Sequence, residues 1–251
     1  MKILITGASS GIGLEMAKYL AKDKHELILV ARNKEKLEEL QKTLPTKTKI
    51  IALDLSDIQM VKELYVLTKN DDIDVLINNA GFGSCGDFDD LALINDVNMI
   101  NTNVVAVHVL TKSFLKDMMK KDSGYILNVS SSAGFMPGGP LMSTYYATKS
   151  YVYSLTNAIW YELKKRKSNV KVSCLTPGPV DTNFNNVANV KFSVKPQSAK
   201  YVAEYAIDEM FKGKLLIIPG FKMKLTKFFK RFVSDKSLLK MTYNIQKRKM
   251  K

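Results

Sequence analysis

Tyr145 and Lys149 stand four residues apart in TYYATKS, inside a stretch from Thr144 to Lys167 whose pattern predicts one long helix. Residues at i and i+4 share a helix face. A free phenol titrates at about 10, too high for efficient proton exchange near neutrality. A neighbouring ammonium favours the phenolate and lowers that value. The pair is therefore suited to protonate a forming alkoxide, or to deprotonate an alcohol in reverse. Tyr146 has no such partner, since the residue four positions on is Ser150.

A second group with chemical meaning is Thr6-Gly7-Ala8-Ser9-Ser10-Gly11-Ile12-Gly13, a G-x-x-x-G-x-G loop between the first apolar run and the first amphipathic stretch. Such a loop turns tightly and lets backbone approach a pyrophosphate with no Cβ in the way. The helix that follows offers free N–H groups to the anion. An acid at the end of the second strand would bond a ribose 2′-hydroxyl. Here that place holds Ala31-Arg32. A guanidinium pairs with a 2′-phosphate where an acid would repel it, so Arg32 points to NADP rather than NAD.

These residues need a frame, and the chain supplies one. Ile3–Ile5, Glu26–Ala31, Lys49–Leu53, Asp74–Asn78, Gly124–Val129, Val170–Leu175 and Leu215–Ile218 read as strands. Between them, Leu14–Lys22, Lys34–Leu44, Asp57–Lys69, Ala92–Met119, Thr144–Lys167 and Ser198–Phe211 read as helices. Near-continuous apolar strands alternating with helices predict a parallel sheet buried on both faces. The expected fold is α/β, a Rossmann-type doubly wound parallel sheet of about seven strands. One domain over residues 1–220, followed by a basic C-terminal extension over 221–251, is the expected organisation.

Composition narrows the functions. Of 251 residues, 46% are hydrophobic and 25% charged, which is ordinary globular usage. The two cysteines, Cys85 and Cys174, make no metal-ligand spacing and no disulfide framework. Only His25 and His108 could serve a histidine-based metal site or a Ser-His-Asp triad, and no metal is expected. Apolar runs reach about six residues, far short of the roughly 18 of a membrane span. The opening Met1–Ile5 breaks too early for a signal-peptide core. A cytoplasmic protein is the expectation.

In the motifs TGASSGIG (6–13), Asp54-Leu55, NNAG (78–81), Asn103 in INTNVVAV, NVSSSAG (128–134), YYATK (145–149) and PGPVDT (177–182), the chain resembles the short-chain dehydrogenase/reductase family, of the NADP-preferring type. The resemblance covers about residues 2–220. It implies an oxidoreductase that moves a hydride between NADPH and a carbonyl or alcohol substrate, with Tyr145 as general acid/base. It implies catalytic roles for Asn103, Tyr145, Lys149 and one serine. Counting back from Tyr145 selects Ser132, whereas matching the S-x-A-G motif selects Ser131, which a one-residue insertion in the loop 137–140 would permit. Ser131 is preferred. For the cofactor it implies a cradle of Gly7, Ser9, Ser10, Gly11, Ile12 and Gly13, with Asp54 on the adenine amine and Leu55 lining that pocket. Asn79, Ala80 and Gly81 would flank the adenosine ribose. Pro177 and Gly178 would face the nicotinamide, Val180 and Thr182 its carboxamide, and Lys149 its ribose. A homo-dimer or tetramer is also implied.

Substrate choice is expected from Asn183 to Gln197, with Phe184, Val187 and Phe192 as apolar contacts, and from Met136, Leu141 and Met142 on the opposite wall. Methionines suit an adaptable apolar pocket. A medium-sized, partly apolar carbonyl or alcohol fits this description.

Charge is concentrated at the end of the chain. Residues 221–251 hold eleven Lys or Arg and one acid, a net of +10 out of +14. Leu225, Phe228, Phe229, Phe232 and Val233 follow helical spacing among lysines, which predicts a basic amphipathic helix. Three uses stay open: docking on the domain or a partner subunit, peripheral contact with an anionic membrane through 222–241, and nucleic-acid binding. The last is disfavoured, since no recognised nucleic-acid module accompanies the helix. The closing QKRKMK is expected to be disordered.

Overall fold

Period-two alternation orients every strand of the sheet. In β1 (Lys2–Thr6), Ile3 and Ile5 enter one core and Leu4 the other; in β2 (Glu26–Ala31), Leu27 and Leu29 oppose Ile28 and Val30. The same division runs through β4 (Val75–Asn78) and β5 (Tyr125–Val129), where Leu76 and Ile126 face away from Ile77 and Leu127. The structure, a computed structural model, describes residues 1–182 and 196–249.

With β3 (Thr48–Ala52), β6 (Lys171–Leu175) and β9 (Leu216–Ile217), these strands form one seven-stranded sheet in the order β3-β2-β1-β4-β5-β6-β9. Every neighbouring pair is parallel. Two short strands, β7 (Val180–Asp181) and β8 (Gln197–Ser198), pair separately. Helices α1 (Gly11–Lys22), α2 (Lys34–Thr43) and α6 (Ala199–Phe211) cover one face through Met16, Leu20, Leu37, Val202 and Met210. Helices α3 (Ile58–Thr68), α4 (93–121) and α5 (Ser143–Lys165) cover the other through Leu64, Leu110, Phe114 and Leu163. Helix α4 is composite: Leu93–Ile100, a π-helical stretch Asn101–Ala106, then Val107–Lys121. This is the expected doubly wound α/β architecture. The strand order reverses between β1 and β4, which opens a crevice at their carboxyl ends, the place where ligands bind in such sheets.

Differences from the sequence reading lie at element ends. Helix α1 begins at Gly11 rather than Leu14, because the last glycines of the loop already adopt helical pairing, with Leu14 N–H bonded to Ser10 C=O at 3.3 Å. The last strand shortens to Leu216–Ile217. The basic helix is broken: α7 (Phe221–Phe229) passes into a 3-10 turn, Lys230–Phe232, and α8 (Asp235–Lys249) starts afresh. Of the closing QKRKMK, expected to be disordered, residues 246–249 continue α8 and Gln246 is 2% exposed, while the last two residues lie outside the described ones. Leu238, Thr242 and Gln246, at i, i+4 and i+8, are its buried side; two of the three are polar, which hid the stripe from a hydropathy reading.

Inside the sheet, Asn78 Nδ2 donates to Asn128 Oδ1 at 2.8 Å and to Thr111 Oγ1 at 3.0 Å, and Asn128 Nδ2 donates to Thr156 Oγ1 at 3.1 Å. This buried network ties β4 and β5 to α4 and α5. Replacing Asn128 by Leu strands the partners of both carboxamide atoms. The expected result, by urea denaturation, is a loss of roughly 2–4 kcal/mol in unfolding free energy; a loss below about 1 kcal/mol would show the network to be dispensable.

Candidate active site

Strand β5 ends at Val129, and the chain then turns through three serines into the 3-10 turn Ser132–Phe135. Helix α5 crosses this end of the sheet and is clamped to it from both sides. Lys149, 5% exposed, donates from Nζ to the Val129 carbonyl at 3.0 Å. The Ser130 hydroxyl donates back to the Lys149 carbonyl at 2.7 Å. One turn earlier on α5, the Tyr145 phenol is hydrogen-bonded to the side chain of Ser131. Ser131 Oγ also accepts from Ala133 N–H at 3.2 Å. Of the three serines, Ser131 is thus the one joined to Tyr145; Ser130 serves the clamp, and Ser132 begins the turn, its N–H bonded to Pro177 C=O at 2.8 Å.

Electrostatics here departs from the expectation drawn from spacing. Lys149 Nζ lies 5.9 Å from the centre of the Tyr145 ring. Burial dominates both groups. It pushes the Tyr145 phenol up to about 12, with the Ser131 hydrogen bond opposing. It pulls the Lys149 ammonium down to about 8. The anticipated lowering of the phenol by the ammonium is not what the protein alone exhibits; four-residue spacing brings the pair together but says nothing of how deeply both are buried. A phenol held this high is protonated at neutral pH, the state of a proton donor.

Asn103 sits in the π-helical stretch of α4 and is fully buried. Its Nδ2 donates to Phe82 C=O at 2.9 Å and Thr148 Oγ1 at 3.1 Å, and its Oδ1 accepts from Phe82 N–H at 3.1 Å. A Cβ on Gly81 would lie 2.8 Å from Asn103 Oδ1 and 3.2 Å from Lys149 Nζ, so the three residues meet around that glycine. Asn95 is exposed, and Asn98 and Asn101 are half-buried, which leaves Asn103 as the asparagine of this helix at the site.

A cleft of about 410 Å³ runs from this group across the switch point to the end of β2. It is lined by Gly7, Ser9, Ser10, Gly11, Ile12, Arg32, Asp54, Leu55, Asn79, Ala80, Gly81, Ser131, Tyr145, Lys149, Pro177, Gly178, Val180 and Thr182. Of the residues expected at the site, Gly13 and Asn103 stand behind this wall. Gly13 is there for closeness: a Cβ would come within 2.4 Å of Gly7 O and of Asn79 Nδ2. Asn79 holds the loop itself, donating from Nδ2 to Thr6 O at 3.0 Å and Gly7 O at 3.1 Å.

The residues present fit a dinucleotide. Gly7 and Gly11 have φ of +67° and +56°, and the N-cap of α1, Ser10, makes no side-chain capping bond. Uncapped N–H groups at a glycine-shaped helix start form a cradle for a pyrophosphate. At the far end, Arg32 Nη1 lies 3.9 Å from Asp54 Oδ2, both side chains well exposed. Such a pair is worth at most about 1 kcal/mol, so it leaves the guanidinium available to an incoming phosphate. Asp54 Oδ1 meanwhile accepts from Ser56 N–H and Oγ at 2.9 Å.

Several lining residues escaped the sequence reading. Lys36 and Asn33 flank Arg32, and the Asn33 side chain caps α2 by accepting from Lys36 N–H at 2.7 Å; the Asn-x-x-Lys after Arg32 was the available signal. At the substrate end, Tyr146 and Gln246 line the cleft, with Gln246 Nε2 donating to Tyr146 Oη at 2.7 Å. Gly139 lets the Tyr146 ring lie on its backbone, where a Cβ would come 2.2 Å from Cδ2. Met142 reaches the cleft, as expected, but Met136 and Leu141 do not line it. Phe184, Val187 and Phe192 lie outside the described residues. Among the described residues, no cluster could hold a metal ion.

A family model described as short chain dehydrogenase matches residues 1–191. The chain belongs to the short-chain dehydrogenase family. It is an oxidoreductase of that type, and the family works with nicotinamide cofactors. It is 34% identical over 235 residues to an NADP-dependent 3-hydroxy acid dehydrogenase of Schizosaccharomyces pombe, which covers 86% of this chain and 89% of that protein. Among solved structures, a short-chain dehydrogenase from Sphingobium yanoikuyae in complex with NADPH superposes with a TM-score of 0.82 at 26% identity, covering 92% of this chain and 94% of the other. A Burkholderia phymatum short-chain dehydrogenase/reductase in complex with NAD shares the fold, with a TM-score of 0.82 at 22% identity over 92% of each chain.

The buried ammonium makes stability depend on pH in a definite sense. Lys149 titrates at about 8 in the folded chain against an ordinary 10.5. Between those values the unfolded chain binds the extra proton, so stability rises with pH. Denaturation of wild type and Lys149→Met across this window is expected to show wild type gaining on the variant by on the order of 3 kcal/mol. A difference independent of pH would contradict the burial of a charge at this position.

Proposed function

We propose that the protein is an NADPH-dependent carbonyl reductase, with Tyr145 as the proton donor. The observation that carries this reading is the Tyr145 phenol, bonded to Ser131 beside the clamped Lys149, at one end of a cleft whose other end is Arg32. The glycine loop and the α1 N-terminus would hold the pyrophosphate, Arg32 and Lys36 the 2′-phosphate, and Asp54 and Leu55 the adenine. Asn79, Ala80 and Gly81 would flank the adenosine ribose; Pro177, Gly178, Val180 and Thr182 would hold the nicotinamide end, with Lys149 on its ribose. When bound, the dinucleotide supplies the hydride.

The chain's own part is proton delivery and orientation. The Ser131 hydroxyl and Tyr145 Oη together receive the substrate oxygen. As the carbonyl carbon gains hydride, the Tyr145 proton passes to the oxygen and leaves a phenolate, which the Lys149 ammonium stabilises until a proton from solvent restores the phenol. At neutral pH the Tyr145 phenol, held up by burial, arrives protonated, the state in which it can give its proton to a forming alkoxide. Tyr146, Met142 and Gln246 would bound a medium-sized, partly apolar carbonyl compound.

In this reading residues 1–220 are the dinucleotide-binding and catalytic unit, and 221–251 an extension that closes its substrate end. The exposed stripe Leu93, Ile94, Val97 and Ile100 on α4 supports assembly as a homo-dimer or tetramer. A content of two cysteines in 251 residues suits work in the reducing cytoplasm.

Two measurements test the assignment. With a panel of aryl ketones, alkyl ketones and 3-oxo esters, Tyr145→Phe is expected to lower kcat/KM by about 10²–10⁴ while NADPH still quenches or enhances fluorescence at wild-type concentrations. Retained turnover would remove Tyr145 from the chemistry. Arg32→Asp is expected to weaken NADPH binding by roughly tenfold to a hundredfold, with NADH little changed. Equal loss for both nucleotides would sink the 2′-phosphate role.

A further inference from the structure

The segment formed by α7 and the 3-10 turn after it has two sides that are used differently. Its inner side is tied down: Met223 lies over Gly178, where a Cβ would come 2.7 Å from Sδ. Lys224 Nζ donates to Tyr205 Oη at 3.2 Å, Lys227 Nζ stands 5.7 Å from the Tyr153 ring centre, and Lys230 donates to the Phe135 carbonyl. The outer side presents Phe221, Phe228, Phe229 and Phe232, exposed by 73, 52, 57 and 74%. Phe228 meets Phe229 at 5.3 Å and Phe232 at 5.7 Å between ring centres. Lysines tied to the body and phenylalanines in water invert the order of an ordinary surface helix. Contiguous exposed aromatic groups mark a contact surface.

Charge selects the occupant. The segment 221–251 carries +10, whereas the rest of the chain carries +4. A two-fold contact through this face would bring two such segments together, and like charges across an interface are costly. The complement is an anionic, partly apolar surface. We propose that this face docks on a bilayer bearing anionic headgroups. Phe228, Phe229 and Phe232 seat at the boundary between headgroups and acyl chains, and the exposed Lys222 and Arg231 lie against headgroup phosphates. The contact is peripheral: no helix among the described residues is long and apolar enough to cross a membrane.

Docking also has a direction. Met223 on the same helix covers the Gly178 wall of the cleft, and Gln246 of α8 lines its substrate end. The mouth of the site therefore lies beside the bilayer, where apolar carbonyl compounds dissolved in lipid concentrate. This delivery role rests on the carbonyl-reductase reading; the docking itself does not.

The test is sedimentation of the full chain with vesicles of phosphatidylcholine alone and of phosphatidylcholine mixed with phosphatidylglycerol. Wild type is expected to bind the mixed vesicles, to leave neutral ones in solution, and to release with added salt. Phe228→Ser with Phe232→Ser is expected to weaken binding by about tenfold or more, the factor for withdrawing two phenyl rings from the interface. Lys222→Gln with Arg231→Gln is expected to weaken it and flatten the salt dependence. Unchanged thermal melting and NADPH titration show that each variant is folded. Three results overturn the proposal: no binding to anionic vesicles, binding indifferent to the phenylalanines, or a wild type whose self-association or affinity for single-stranded DNA, rather than for vesicles, is what those substitutions abolish.

Discussion

A single buried ammonium organises this site. Lys149 gives up water for one carbonyl, Val129 O, at the tip of β5, and Ser130 returns a bond to the Lys149 carbonyl. Helix α5 is thereby fixed against the sheet at the point where the strands end. Tyr145, one turn back, is carried to Ser131 as a consequence, and Gly81 is required because its missing Cβ leaves room for Lys149 Nζ and Asn103 Oδ1. Burying a charge costs stability, and the depressed titration of Lys149 is the measure of it. A site that keeps such a residue trades stability for position.

The remainder of the cleft follows from topology. Reversal of strand order between β1 and β4 opens a crevice at their carboxyl ends. The glycine loop enters it from one side and the 177–182 segment from the other, with Thr182 close enough to Gly11 that a Cβ there would come 3.0 Å from Cγ2. The buried network of Asn78, Asn128, Thr111 and Thr156 then fixes the floor beneath the clamp. Arg32, by contrast, sits exposed at the rim, where its pairing with Asp54 is long and weak.

What could be read in the sequence, and what could not, divides along sequence distance. The glycine loop, Arg32 and the Tyr145–Lys149 pair are local patterns at defined places in a βα alternation, and the structure brings them to one cleft. The choice among three serines depended on a loop length, and it took the bond between Ser131 and Tyr145 to separate them. The direction of the phenol's shift depended on burial, which spacing does not report. Gln246 was invisible because its partner, Tyr146, lies 100 residues away and because a helix side made of Leu238, Thr242 and Gln246 does not read as apolar. The break at Lys230–Phe232 was missed for the opposite reason: the helical period of the phenylalanines continues through it.

The central claim is that this cleft delivers hydride from NADPH to a carbonyl carbon while Tyr145 delivers the proton. Its most direct test is turnover of a ketone panel with NADPH carrying deuterium at the transferable position, the products analysed by mass spectrometry. The account requires one deuterium on the carbinol carbon of the alcohol formed by wild type, and formation of that product by Tyr145→Phe at least about a hundredfold more slowly. Alcohol without deuterium, or labelled product formed at the same rate by both proteins, would contradict it.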